Sequence, residues 1–280
     1  MSMSVLNNIN SMVAQNHLNQ TSANLSTVLQ QLSSGSRLNS GADDPAGLEI
    51  ANGLAANITA LNQSAQNASD GVGMLQVADG ALSQVTTLLN TAVSLATEAS
   101  NGTVSTAQQA SLDTEFTAIK AEITRIGSNT TFNGGKVFSG NTTNVYITDG
   151  TTTGSSSIDA SVGTLSAASV GFSGTPTDLS STSLTSVSNA EAALTAITTA
   201  IGGIANDRGQ LGADINRLQS ASNVVNTQVQ NVTSAENSFD AANMAQDVTK
   251  MTQDNILEST GMAALQQSNQ AEQSILKLFQ

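Results

Sequence analysis

The sequence predicts a mainly α-helical chain: a long antiparallel helical bundle or coiled coil, with both termini at one end and a small β-hairpin-rich tip. Three observations carry this. Apolar residues recur at steps of three and four over most of the 280 residues, the signature of helices that share a narrow seam. The period vanishes in one stretch, from Ser128 to Ser188, where Thr, Ser and Gly dominate. Aromatic residues make up only 2% of the chain, with six Phe, one Tyr and no Trp. A thick globular core normally draws on such side chains, which bury ~150–250 Å² each. Small aliphatic side chains suit a seam a few residues wide instead.

The elements follow in order. Leu18, Thr21, Leu25, Val28 and Leu32 form the first stripe, with Ile9 and Met12 on a neighbouring face, and Ser33-Ser34-Gly35 closes the helix. Residues 36–43 read as a connector. Asp43 or Asp44 caps the next helix, with Pro45 in its first turn, where Pro is tolerated. That helix carries one stripe from Ile50 and Leu54 through Leu75, Leu82, Val85, Leu89, Ala92 and Ala96 to Ala99. Gly71 and Gly73 weaken it by about 1 kcal/mol each. Leu112, Phe116, Ile119, Ile123 and Ile126 make a third stripe. A fourth runs Leu194, Ile197, Ile201, Ile204, Leu211, Ile215, Leu218 and Val225, broken by Arg208 and Ser222. The last is Met244, Val248, Met251, Met262, Leu265, Leu276 and Phe279, an imperfect seam because Asn255, Glu258 and Asn269 share its register. In the aperiodic stretch, Val137-Phe138 and Val145-Tyr146-Ile147 read as short strands beside Asn-Gly turn signals. The chain is expected to run out along a rod, turn over at the tip and return.

Composition excludes several functions. The formal net charge is −13, with eight Lys plus Arg and no basic cluster, so neither nucleic acid nor an anionic membrane surface is a partner. No apolar run reaches the ~18 residues a membrane span needs. Without Cys there are no disulfides or thiolate metal sites. MSMSVLNNIN lacks the charged and apolar regions of a cleavable signal. From Met1 to Ser36 there is no Asp, Glu, Lys or Arg, so this helix needs a partner to cover its stripe.

No catalytic, cofactor or metal site emerges. His17 is the one His, too few for a His-based metal centre or a triad, and reads as a helix-surface residue. Asp43-Asp44 read as a cap rather than paired acids. Gly71-Val72-Gly73 lacks the Lys and spacing of a phosphate loop. Glu191, Asp207 and Asp214 read as a solvated face. The Ser/Thr-rich tip either carries sugars or is a plain polar loop.

Several longer segments resemble one known family. The stretch LSSGSRLNSGADDPAGLEIANGLAANITAL, from Leu32 to Leu61, is similar to the bacterial flagellin signature. So are SDGVGMLQVADGALSQV (Ser69 to Val85), NTTFNGGKVF (Asn129 to Phe138) and the terminal NQAEQSILKLFQ from Asn269. The likeness covers roughly 1–138 and 190–280, everything but the tip, and the chain looks like a short form without large outer domains. It implies residues 1–35 and 240–280 as an inner coiled-coil domain. Residues 44–130 and 189–235 would form an outer helical core, and 131–188 its β-rich tip.

By that resemblance the chain is a secreted subunit of the extracellular flagellar filament, exported by the type III route and not an enzyme. Its partners would be further copies of itself, an export chaperone, and cap and junction proteins. Leu18, Leu25, Val28, Leu32, Met244, Val248, Met251, Met262, Leu265, Leu276 and Phe279 would form assembly seams. Leu82, Val85, Leu89, Phe116, Ile119, Ile123, Leu211, Ile215 and Leu218 would form the outer core seam. Asn90 to Asn101 with Glu115 matches the family's innate-receptor surface at Leu95 and Glu115, but Thr91 and Val93 stand where Arg is common, which implies weak or absent recognition. Two other readings stay open on the residues: a hook–filament junction protein, and a secreted coiled-coil adhesin.

Overall fold

The computed structural model describes residues 8–149 and 157–278. In chain order the elements are α1 (Ile9–Ser34), α2 (Pro45–Ala99), α3 (Thr106–Asn129), β1 (Thr131–Phe132), β2 (Gly135–Lys136), β3 (Thr142–Tyr146), β4 (Ser157–Ser161), α4 (Val187–Asp240) and α5 (Met244–Leu278). The chain is mainly helical, with two small antiparallel hairpins between α3 and α4. It divides into two compact units. One draws on residues up to Ala56 and from Asn231 onward, and the other is Asn57–Gln230.

The middle unit holds the core. Leu75, Ala78, Leu82, Val85, Leu89, Ala92, Ala96 and Ala99 of α2 are fully buried, as are Ile197, Ala200, Ile204, Leu211 and Leu218 of α4 apart from the half-shielded flanks. The two helices run antiparallel. Arg208 of α4 pairs with Asp79 of α2 through Nε at 2.7 Å, and Gly71 of α2 faces Leu218 of α4. Helix α3 opens on a capping box, where the Ser105 hydroxyl and Gln108 side chain each satisfy the other's backbone amide. It adds Phe116, Ile119 and Ile123 to the same cluster.

The segments between α3 and α4 seal the unit. Asn133 and Gly134, at φ 49° and 78°, make the two-residue turn between β1 and β2, a conformation that suits Asn-Gly. The expected strand at Val137-Phe138 falls two residues earlier, on Gly135–Lys136, because that turn fixes the register as Phe132 opposite Gly135. Val137 and Phe138 are buried side chains just beyond it. Val145 and Tyr146 do lie in a strand, β3, which pairs with β4 from Thr142 opposite Ser161 to Tyr146 opposite Ser157. Strand β3 is laced to α2: the Ser64 hydroxyl donates to the Thr148 carbonyl at 2.7 Å, and Asn67 Nδ2 donates to the Tyr146 carbonyl at 3.1 Å.

Gly71 is more than a weak point in a helix. A Cβ there would lie 2.8 Å from Val145 Cγ2 and 3.2 Å from Leu218 Cδ1, so glycine lets the hairpin press onto α2. Farther along, Gly171, at φ 83°, passes close to Gly203, whose Cα would lie 3.1 Å from a Cβ added at Gly171. Helix α3 then holds the return to α4. Lys120 Nζ donates to the Thr182 carbonyl at 2.7 Å, and the Leu184 amide donates to Asp113 Oδ1 at 2.7 Å.

The solvated face expected of α4 needs correction. Glu191 is exposed, but Asp207 and Asp214 are buried, at 0% and 2% exposure. Asp214 accepts from Arg217 at 3.1 Å. Asp207 accepts the backbone amides of Phe172 at 2.8 Å and Ser173 at 2.6 Å, fastening the loop that follows Gly171. A buried carboxylate tied to two amides satisfies donors that would otherwise be stranded. Burial raises the Asp207 carboxyl above its ordinary pKa, and the two amide donors oppose that rise.

Asp207→Ala leaves two amides without an acceptor and is expected to destabilise the middle unit by about 1–3 kcal/mol. The pH dependence has a definite sign. A raised native pKa means the stabilising contribution is complete below the unfolded carboxylate value and is lost as pH climbs through the native one. Urea unfolding followed from about pH 4 upward should therefore show the wild type losing stability relative to Asp207→Asn. Parallel curves for the two proteins would contradict this assignment.

Candidate assembly surfaces

In the terminal unit, α1 begins at Asn8, whose side chain accepts the Ser11 amide at 2.8 Å, and ends at Gly35, left-handed at φ 72°. Its partner α5 starts after Asn243, whose side chain accepts the Gln246 amide at 3.2 Å. The two run antiparallel. Ser268 donates to Asn8 at 3.1 Å, Gly261 sits 3.3 Å from Leu18 Cδ1 measured from an added Cβ, and the Ala242 amide donates to the Gly35 carbonyl at 3.1 Å. Further links close this end. The Arg37 amide donates to the Asp240 carbonyl at 2.6 Å, Arg37 Nη2 to the Phe239 carbonyl at 2.6 Å, and the Ser36 hydroxyl to Asp240. Of the two candidate caps of α2, Asp44 is the cap, accepting the Gly47 amide at 3.0 Å. Asp43 instead holds the connector through the Ser40 amide at 2.8 Å.

Helix α1 presents Ser11, Ala14, Leu18, Thr21, Leu25, Val28 and Leu32 inward; Val28 is buried and the rest half-buried. From α5 the shielded residues are Asp247, Met251, Asp254, Glu258, Gly261, Leu265 and Ser268. Of the apolar positions expected on the last stripe, Met251 and Leu265 are half-buried, whereas Met244, Val248 and Met262 are 46–49% exposed and lie on a flank. Phe279 lies outside the described residues, as does the side chain of Leu276. Asp254 and Glu258 thus face a helix that carries no charged residue, and Asp247 pairs with Lys250 of its own helix at 3.3 Å. The large apolar residues left open here, among the described residues, are Ile9, Met12, Val13 and Leu29 on α1, Met244, Val248, Ile256, Leu257 and Met262 on α5, and Ile50 of α2 and Phe239 of α4. At 100° per residue, Ile9, Met12 and Val13 cluster on the back of α1, away from the α5 seam.

In the middle unit, Leu82, Val85, Leu89, Phe116, Ile123, Leu211 and Leu218 are fully buried and Ile119 nearly so, while Ile215 is half-buried at the margin. Of the receptor-like pair, Glu115 is exposed, but Leu95 is 8% exposed and belongs to the core cluster. His17 is exposed on α1. Among the described residues no group of acidic or His side chains could hold a metal, and no helix is long and apolar enough to cross a membrane.

Two family patterns match this arrangement. The bacterial flagellin N-terminal helical region covers residues 5–143, and the bacterial flagellin C-terminal helical region covers 194–279. The chain belongs to the flagellin family. A flagellin of Halalkalibacterium halodurans is 31% identical over 90% of each chain. The flagellar filament 33 kDa core protein of Treponema phagedenis is 32% identical over 99% of this chain and all of its own. A flagellin of Listeria monocytogenes is 31% identical over 99% of both. As a flagellin, the chain is a non-enzymatic subunit that polymerises into the extracellular flagellar filament and serves motility.

Gly261 is the residue that sequence reading of this flagellin's seam passed over. Glycine at that point lets α5 lie close on Leu18. Gly261→Leu is expected to force α1 and α5 apart and lower filament yield, leaving the unfolding midpoint of the middle unit unchanged. Sedimentation of seeded filaments and urea unfolding of the monomer measure the two effects.

Proposed function

We propose that polymerisation buries the apolar residues that the terminal helices leave open, against the same helices of neighbouring copies. The observation that carries this is their concentration. Outside the terminal unit, the described large apolar side chains left exposed are Val77, Tyr146, Val187 and Val224. Inside it, Ile9, Met12 and Val13 lie open on the back of α1, and Met244, Val248 and Met262 lie open along the flank of α5. Each such side chain gains up to roughly 1.5–3 kcal/mol when covered. A patch repeated on every copy and joined head to tail without closing extends as a helix. In this reading residues 1–35 and 240–280 act as an inner domain, 44–130 and 189–235 as an outer core and 131–188 as its tip. The export chaperone, cap and junction proteins would engage the same open terminal surface.

The double variant Met12→Asp, Met262→Asp tests the assignment. It is expected to abolish seeded elongation while the middle unit unfolds at the wild-type urea midpoint. Normal elongation of that variant would remove these faces from the assembly contact.

The surface around Leu95 and Glu115 is proposed as a weak ligand for the vertebrate flagellin receptor. Leu95 is turned into the core, and Thr91 and Val93 offer no guanidinium. A reporter-cell assay with purified monomer should show a response well below that of an Arg-bearing flagellin.

A further inference from the structure

Three Asn-Gly pairs occur in the chain, at Asn52-Gly53, Asn101-Gly102 and Asn133-Gly134, and the structure places them in three different environments. Asn52-Gly53 lies inside α2, where an interior amide is held in the helical ladder. Asn133-Gly134 forms the tight β1–β2 turn, both residues fixed at positive φ. Asn101-Gly102 lies in the exposed connector between α2 and α3. Among the described residues the Gly102 amide donates to no acceptor, and nothing lies within 4 Å of a Cβ built there. The Asn101 side-chain oxygen accepts two hydrogen bonds from one neighbour, from the Thr103 amide at 3.2 Å and the Thr103 hydroxyl at 3.0 Å.

We propose that Asn101-Gly102 is a self-modification site, at which the chain deamidates its own connector with Thr103 as the promoting residue. The Gly102 nitrogen, unhindered and unbonded, attacks Asn101 Cγ. As that bond forms, the side-chain oxygen takes up negative charge, and the two Thr103 donors are already aimed at it, the arrangement that stabilises an oxyanion. The C–N bond to the side-chain nitrogen breaks, the proton from the Gly102 amide leaves with it, and ammonia departs. The resulting five-membered imide is opened by solvent water, giving aspartate or its isomer with the chain routed through the side chain. Both products add a negative charge at the α2–α3 connector, and the isomer lengthens its backbone by one carbon. Neither other pair combines a free nucleophile with a supported oxygen. In α2 the amide is engaged, and in the hairpin ring closure must first break the turn.

The test is a time course on the purified full-length chain at 37 °C and mildly alkaline pH, read by peptide mass mapping in water enriched in heavy oxygen. The peptide carrying Asn101 is expected to gain acid and iso-acid products while that carrying Asn52 stays unchanged and that carrying Asn133 lags. Thr103→Val should slow conversion at Asn101 by about two- to tenfold, the net worth of one hydrogen bond, and Thr103→Ser should restore it. Circular dichroism checks that both variants keep the helical content of the parent. Conversion at Asn101 no faster than at Asn52, or a rate indifferent to Thr103→Val, would overturn the proposal.

Discussion

Two helices side by side can cover one stripe each and no more. That limit governs the terminal unit. Helix α1 has apolar residues on two faces, the seam from Leu18 to Leu32 and the back carrying Ile9, Met12 and Val13, and among the described residues α5 is the helix packed along it. Helix α5 has the same excess, with Met244, Val248 and Met262 on its flank. Apolar area left in water costs roughly 25 cal/mol per Å², so a pair built this way is incomplete alone and gains stability from any neighbour that repeats it. In the proposed assembly, folding of the ends and growth of the filament are linked through subunit concentration.

The middle unit obeys the opposite logic. Its helices also meet along a narrow seam, but α3, the two hairpins and the loop around Gly171 supply the missing layer from within one chain. The layer is fastened by hydrogen bonds at many separated points, through Ser64, Asn67, Asp113, Lys120 and Asp207. The inward positions from Leu75 to Ala99 on α2 are buried, so this unit closes its core within one chain. One chain thus contains a closed unit and an open one, which is what a subunit requires if it is to stay folded before assembly and still have surface to join.

The helices, their order and the position of the aperiodic stretch could be read from spacing alone, because period and turn residues agree along the chain. Rotation about the helix axis could not. In α4 the reading and the structure share Ile197, Ile204, Leu211 and Leu218, but the alternate position is Ala200, Asp207 and Asp214 rather than Ile201, Arg208 and Ile215. Helix α5 shows the same one-residue offset, with Asp254 and Gly261 inward in place of Asn255 and Met262. Hydrophobicity draws the eye to the larger side chain of each adjacent pair. A narrow seam selects the smaller one, because two backbones approach closely only where Ala or Gly lies between them, and the larger residues then shield the margins. Buried acids escape for a related reason: Asp207 is inward because it has amides to bind 34 and 35 residues away, and no local pattern reports a partner at that distance.

The acids of the terminal seam give this offset a consequence for assembly. Turning α5 so that Met262 faced α1 would bury more apolar area within the pair and move Gly261 aside. The orientation found does the reverse: it spends the seam on Gly261, Ser268, Asp254 and Glu258, opposite a helix without one cation, and leaves Met244, Val248 and Met262 outward. Such a seam is weak by composition, since a carboxylate shielded from water without a countercharge loses solvation and gains little in return. In the proposed assembly, the apolar surface left out of the contact within the subunit is what contacts between subunits cover. A filament subunit is favoured by that distribution, because in the proposed assembly terminal helices that pair weakly within one chain leave their apolar surface for neighbouring copies to cover.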